Sequence, residues 1–269
     1  GLCGLDQVKK DVKSLINLVK VRKLRQQADL PVPPMSLHLV FLGNPGTGKT
    51  TVARLLAQIY RAVGVLSKGQ LVEVDRSGLV AGYVGQTALK TQEAVQKALG
   101  GVLFIDEAYA LVNQDSATDF GREAIEVLLK NMEDHRDDLV VIVAGYDGLM
   151  DEFIHSNPGL ESRFNRFLHF ADYTAEELLA IFRMQCEKGC YILEPEAEAP
   201  LRSLLERRMA DAASFGNARG VRNLFEQILV RQAGRLAGQA SVNREDLTRI
   251  TAADVEAVGR ANDLEAKER

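Results

Sequence analysis

A chain of 269 residues that is 46% hydrophobic has ample material for a core, enough for one large domain with an appendage or for two domains. Its 33 basic and 37 acidic residues leave a formal charge of −4, without the positive excess that draws proteins to nucleic acid or anionic lipid. No apolar run approaches the roughly 20 residues needed to span a bilayer and no charged-then-apolar leader opens the chain, so no membrane insertion and a cytoplasmic location are expected.

The chain opens on Gly1-Leu2-Cys3-Gly4-Leu5 rather than on Met, as an excised or processed piece would, which leaves room for an N-terminal region that selects substrate. Val8, Val12, Leu15, Leu18 and Val19 then recur at helical spacing until Pro31, Pro33 and Pro34 break the pattern, predicting a lead-in helix over 6–28. The apolar run Leu37 to Leu42 reads as a strand and Thr51 to Tyr60 as a helix. Between them, Gly43-Asn44-Pro45-Gly46-Thr47-Gly48-Lys49-Thr50 satisfies the pattern G-x-x-x-x-G-K-[ST] in the strand, loop, helix setting that the pattern requires. The glycines permit backbone conformations closed to other residues, so the loop's N–H groups can wrap a polyphosphate at a helix N-terminus, and Pro45 stiffens the bend. Lys49 supplies a compact positive charge for the outer phosphates, and the Thr50 hydroxyl suits the octahedral oxygen shell of Mg²⁺. Asn44, Thr47 and Thr51 complete the nucleotide-binding set, with ATP or GTP as the ligand.

Four more strands are predicted, Leu71 to Asp75, Val102 to Asp106, Leu139 to Gly145 and Phe167 to Phe170, separated by helical segments. Short, nearly continuous apolar runs alternating with helices imply an α/β fold, a five-stranded parallel sheet buried on both faces with ligands beyond the strands' carboxyl ends. Past residue 173 the strand signals stop, and Thr174 to Lys188, Glu196 to Asp211, Val221 to Leu236 and Thr251 to Val258 read as helices. Residues 1–173 are therefore expected to form a large nucleotide-binding domain and 174–269 a small all-helical domain, joined where Thr174 and Glu177 form a capping box.

Within that frame, Val102-Leu103-Phe104-Ile105-Asp106-Glu107 is an apolar strand ending in two adjacent carboxylates, and downstream of a phosphate loop the pair points to hydrolysis. Asp106 is assigned to the metal and Glu107 to orienting and deprotonating the attacking water. Ala81-Gly82-Tyr83-Val84-Gly85-Gln86-Thr87 sets an aromatic residue between glycines in a polar connection; Tyr83 is either exposed and movable or tucked onto the core, and the glycines favour movement. Asn157 to Arg166 reads as a loop carrying Arg163 and Arg166, whose planar guanidinium groups suit a phosphate, although a surface salt bridge is the more frequent role of an arginine. Arg219 and Arg222 stand one turn apart at the start of a helix. Cys3, Cys186 and Cys190 lack zinc spacing; Cys186 and Cys190, one turn apart on a predicted helix, read as small buried residues on one face rather than a redox pair. The four histidines form no ligand cluster by spacing.

This order of parts resembles an AAA+ ATPase over essentially the whole chain, with Walker A at 43–50, Walker B at 102–107, an arginine-finger region at 157–166 and a helical lid opening on a G-x-A-R sensor. More narrowly it is similar to the branch that includes the red-type rubisco activase CbbX, stage V sporulation protein K and the EccA-type ATPase of type VII secretion. Gly82 to Thr87, Phe104 to Leu111, Ala144-Gly145-Tyr146 and Asn157 to Leu160 carry that likeness. The resemblance implies a P-loop NTPase sheet domain with an AAA+ lid, ATP and Mg²⁺ as cofactors, and a homo-oligomeric ring, expected to be a hexamer. It also implies that Tyr83 and Val84 grip a polypeptide in the pore, that Arg163 (or Arg166) is the arginine finger, and that Arg219 is the second sensor. Gly4 and Leu5 correspond to the segment beside the adenine, which favours ATP over GTP, and Tyr146 stands where many relatives carry the Asn of the first sensor.

The resulting expectation is an ATPase ring that remodels or threads a protein client as the helical domain moves on loss of the γ-phosphate. A nucleotide-gated scaffold is the alternative, against which Glu107 argues, because a catalytic acid is superfluous there. A nucleic-acid motor is the third reading, weakened by the acidic balance and by the lack of an aromatic and basic patch.

Overall fold

The structure is a computed structural model that describes residues 3–33, 35–83, 85–112, 120–210 and 215–265. The chain forms two compact units: Asp6–Gly43 with Gly48–Phe170, and Gly1–Leu5 with Asn44–Thr47 and Ala171–Arg269. We call them the sheet unit and the lid unit. By contacts the division falls after Phe170, and Asn44–Thr47 group with the lid unit.

The sheet unit begins with α1 (Asp6–Gln27), which buries Val8, Leu15 and Val19, and continues through β1 (Leu39–Leu42), α2 (Lys49–Ala62), β2 (Leu71–Val74), α3 (Arg76–Leu79) and α4 (Gln86–Ala98). It is completed by β3 (Val102–Ile105), a 3₁₀ turn at Ala108–Leu111, α5 (Gly121–Asp134), β4 (Val140–Gly145), α6 (Asp147–His155), α7 (Pro158–Arg163) and β5 (Phe167–His169). The strands pair in parallel in the order β2-β3-β4-β1-β5. Every residue of β1, β3 and β4 is buried, which explains why these strands read as unbroken apolar runs: helices cover both faces, so neither face needs polar side chains. Alternation divides the core. Val40, Leu42, Leu103, Ile105, Val141 and Val143 cluster with α4, α5 and α6 on one face, while Phe41 meets Phe104 and Phe170 on the other.

The chain leaves β1 toward the β2 edge and leaves β4 toward the β5 edge, so the carboxyl ends of these neighbouring strands border a topological switch point, where ligands of open α/β sheets bind.

The lid unit contains α8 (Ala175–Lys188), β6 (Ile192–Leu193), α9 (Pro195–Met209), α10 (Asn217–Ala237), α11 (Arg244–Thr248), β7 (Arg249–Ile250) and α12 (Ala252–Glu265). The predicted capping box is present: the Thr174 hydroxyl accepts from Glu177 N, and the Glu177 carboxylate accepts from Thr174 N. Leu178, Phe182, Leu201, Leu224 and Ile228 are among the buried core of the helices. The helical lid also holds a parallel pair, Ile192↔Arg249 and Leu193↔Ile250, in strands of two residues, too short to leave a period in the sequence.

Two further expectations are corrected. Residues 158–163 are a short helix rather than a loop: Asn157 accepts from Gly159 N and Pro158 fills the first turn, where its missing N–H costs nothing. Cys186 and Cys190 do not share a buried face, because α8 stops at Lys188 and Cys190 lies beyond it, exposed and left-handed at φ 58°. Among the described residues no helix is long and apolar enough to cross a membrane.

Candidate functional site

The phosphate loop starts where β1 runs out. Gly43 is held between its neighbours, with its N–H on Gly145 O at 3.1 Å and its Cα so close to Phe170 that a Cβ would drive into the Phe170 carbonyl. Its φ of 142° and the φ of 96° at Gly48 lie in the region that favours glycine. Gly48 caps α2 without a side-chain hydrogen bond, so the orphan N–H groups of that helix start have no side-chain acceptor from the cap, which suits an anion.

Beyond the loop, Lys49 Nζ donates to Gly43 O at 2.7 Å, spanning the two ends of the loop. Thr50 Oγ1 donates to Glu73 Oε1 at 3.4 Å, and Thr51 is exposed one residue on. Glu73 stands opposite Phe104 in the β2–β3 register, and Asp106, two residues past Phe104, continues the same face because the ladder extends through Asp106 N on Val74 O at 2.8 Å. Thr50, Glu73 and Asp106 thus belong to one side of the sheet at its carboxyl edge.

Asp106 accepts from the N–H of Glu107 at 3.1 Å. Glu107 is exposed and sits at φ 49°, ψ 44°, a left-handed conformation that costs a non-glycine residue on the order of 1–2 kcal/mol and is concentrated at functional sites. Tyr109 and Tyr146 gather at the same edge with ring centroids 6.1 Å apart. Burial raises the Tyr109 pKa, and the charges of Glu107 and Asp106 and the neighbouring Tyr146 raise it further, so its phenol stays protonated beside the carboxylates.

Among the described residues no group of three or more His, Cys, Asp or Glu side chains is placed to hold a metal. Mg²⁺ does not require one: it takes one or two protein oxygens and fills the rest of its octahedron with phosphate and water. The oxygen-only set of Thr50, Glu73 and Asp106 fits that demand.

In the lid unit, Asn44–Thr47 are held by their carbonyls. Pro45 O accepts from Asn217 Nδ2 at 3.3 Å, Gly46 O from Ala218 N at 3.1 Å and Thr47 O from the Tyr173 hydroxyl at 3.1 Å. Asn44 Nδ2 donates to both oxygens of Asp172, at 3.0 and 2.9 Å. Arg219 is exposed, and its backbone passes close beside Gly46. Leu5 is buried, and both it and Gly4 are left-handed, at φ 58° and 60°.

Arg163 and Arg166 stand elsewhere. Arg166 O accepts from Val40 N, and Ser36, which precedes β1, donates to Arg163 O, so both arginines lie at the amino end of β1, the length of a four-residue strand (about 13 Å) from Gly43. Arg163 Nη2 meets Glu133 Oε2 at 3.3 Å, and the Nε atoms of both arginines are buried without a hydrogen-bond partner among the described residues. Tyr83 is 74% exposed between α3 and α4, which decides between the two readings of that residue in favour of exposure; Val84 lies outside the described residues.

Sequence reasoning missed Glu73, Tyr109, Asp172, Tyr173 and Asn217. The one usable signal was Asn217, a polar residue between Gly216 and Ala218 where a helix begins.

Residues 39–172 match the family described as "ATPase family associated with various cellular activities (AAA)", and residues 174–265 match "AAA lid domain". Over 256 residues the chain is 46% identical to the CfxQ homolog of Galdieria sulphuraria, covering 94% of this chain and 84% of that protein. It is 45% identical to the chloroplastic ribulose bisphosphate carboxylase/oxygenase activase of Cyanidioschyzon merolae (94% and 87% covered) and 46% identical to the plasmid protein CbxX of Cupriavidus necator (94% and 80%). Among solved structures, the Thermotoga maritima RuvB Holliday junction branch migration motor superposes with a TM-score of 0.66 at 20% identity, over 96% of this chain and 70% of that one, a likeness of fold.

Proposed function

This chain belongs to the AAA ATPase family, alongside the CfxQ, CbxX and rubisco activase proteins, and we propose that it assembles into a hexameric ring that couples hydrolysis of ATP to remodelling of a protein client. It is a nucleotide-binding enzyme, an ATPase. The observation that carries the ring is the placement of Arg163: at the far end of β1 from the phosphate loop, it is out of reach of its own chain's Lys49 and Thr50 and is available to a neighbouring copy. A cation supplied in trans stabilises the charge that develops on phosphoryl transfer, as an arginine finger does.

Within one chain, Gly43 to Thr51 form the cradle, with Lys49 moving from Gly43 O to the outer phosphates when nucleotide enters. Thr50 and Asp106 would hold Mg²⁺, which when bound neutralises charge on the phosphate oxygens. Glu107, exposed at the strand's end, takes a proton from the attacking water. Arg219 reads the γ-phosphate, and Leu5 lies along the adenine, favouring ATP. Tyr83, exposed between Gly82 and Gly85, grips the client together with Val84, and the working site is cytoplasmic.

A protein client is favoured over nucleic acid by the acidic balance of the chain and by a relative whose name is that of an activase of a carboxylase. A nucleotide-gated scaffold would need no Glu107. The test is Glu107→Gln in the full chain: ATP affinity within twofold of wild type, and turnover reduced by about 10²- to 10⁴-fold. Turnover that survives the change ends the assignment.

A further inference from the structure

We propose that Asn217, seconded by Tyr173, is a positioning residue of the phosphate loop: it turns the loop's carbonyls to one side so that the amide N–H groups face the nucleotide phosphates. The inference rests on the reading of that loop as the phosphate cradle and adds to it residues that act through the loop.

Three consecutive carbonyls at the loop apex, those of Pro45, Gly46 and Thr47, are each held by a donor from the lid unit, Asn217 Nδ2, Ala218 N and the Tyr173 hydroxyl, with Tyr173 tied to Asn217 through its own N–H. Among the described residues there are no cis peptides. A trans peptide sets its C=O and the following N–H on opposite sides, so fixing these carbonyls also fixes the N–H groups of Gly46, Thr47 and Gly48 on the other side of the loop. Successive N–H groups turned one way make an anion-binding concavity. The lid donors therefore prepare the N–H array before any phosphate arrives.

Asn is the residue this place demands. Asn217 is 5% exposed and left-handed at φ 53°, which Asn tolerates better than other non-glycine residues. All of its amide groups are engaged: Nδ2 also donates to Asp172 Oδ1 at 2.8 Å, and Oδ1 accepts from Tyr173 N at 3.0 Å. Asp at this position would keep the backbone and lose the donor, placing a carboxylate against Asp172 and the Pro45 carbonyl. Tyr173 is 6% exposed, and burial first, with nearby Cys3 and Glu177, pushes its pKa up to about 12, so it remains a donor at all working pH values.

The test uses the full chain with Asn217→Gly, which keeps the left-handed backbone and removes the amide, and Tyr173→Phe, which removes one O–H. Calorimetry measures affinity for MgADP, MgATP and inorganic tripolyphosphate, thermal unfolding checks the fold, and steady-state kinetics separates KM from kcat. Asn217→Gly is expected to weaken all three ligands by about tenfold and Tyr173→Phe by about threefold, with kcat at saturation within twofold of wild type. If Asn217→Gly fails to fold, Tyr173→Phe decides alone. Variants that bind MgADP and tripolyphosphate as wild type does, or lose affinity for MgATP only, overturn the inference. Wild-type protein that binds none of the three overturns the cradle reading itself, and this inference with it.

Discussion

The carbonyl oxygen of Gly216 occupies the space that a Cβ on Gly46 would need, closer than any real Cβ contact. Gly46 is also left-handed, at φ 74°, a conformation that costs an alanine on the order of 1–2 kcal/mol before any clash is counted. Gly46→Ala is therefore expected to displace the loop apex and weaken nucleotide binding by at least about tenfold in calorimetry. Gly82→Ala is the control: nothing lies within 4 Å of its added methyl, so both affinity and melting temperature should be unchanged.

His38 supplies a pH dependence whose sign is fixed by a hydrogen bond. Its Nδ1 accepts from Val141 N at 2.9 Å, a bond open only to the neutral ring. Burial, and then the Arg163 charge, lower its pKa from 6.5 to about 4. The unfolded chain therefore binds the proton first as pH falls, so the stabilising contribution is complete above pH 6.5 and is lost as pH falls toward 4. At pH 5 the loss is on the order of 2 kcal/mol. Urea unfolding of the wild type at pH 7 and 5 should show it, and His38→Asn, whose Oδ1 can still accept from Val141 N, should flatten the slope.

What could be read ahead of the structure was local in the chain. The phosphate loop and the Asp106-Glu107 pair each sit within one strand-to-turn segment, so a pattern of eight or six residues exposes them. Tyr173 and Thr47 are 126 residues apart, and Asn217 and Pro45 are 172 apart; no periodicity links such partners, because only the folded chain brings them together. Glu73 escaped because a lone acid on an edge strand looks like solvent exposure until the register sets it opposite Phe104. The helix at 158–163 is legible locally, since an Asn cap followed by Pro at the first helical position is a helix start.

Arg163 and Glu133 separate the proposed ring from the fold. Their ion pair, at 3.3 Å, involves a Glu side chain that is 59% exposed, so Glu133→Gln should change stability by less than about 1 kcal/mol in thermal or urea unfolding. Arg163→Ala should leave nucleotide affinity within twofold, since Arg163 lies at the opposite end of β1 from the loop, while lowering turnover of the assembled protein by about 10³-fold or more. Specific activity of the wild type should also fall on dilution. Concentration-independent turnover, equal in wild type and Arg163→Ala, would remove the trans role.

In the lid, the Asp254 side chain is only 2% exposed yet charged. Arg235 donates to it through Nε and Nη2, both at 2.9 Å, and Thr251 adds its N–H at 3.0 Å and its hydroxyl at 2.9 Å. Burial alone would raise the Asp254 pKa; the Arg235 and Thr251 hydrogen bonds outweigh it and hold the carboxyl below the ordinary aspartate value. The contribution is thus present above the unfolded aspartate range and lost as pH falls through the lower folded value. Removing one partner of a buried pair costs on the order of 3–5 kcal/mol, and because Arg235 is 28% exposed and can recover water, Asp254→Ala should cost nearer the bottom of that range. Hydrogen exchange should report the loss across 217–258 while the strands β1, β3 and β4 keep their protection; exchange that rises equally in those strands would mean that the two units do not unfold separately.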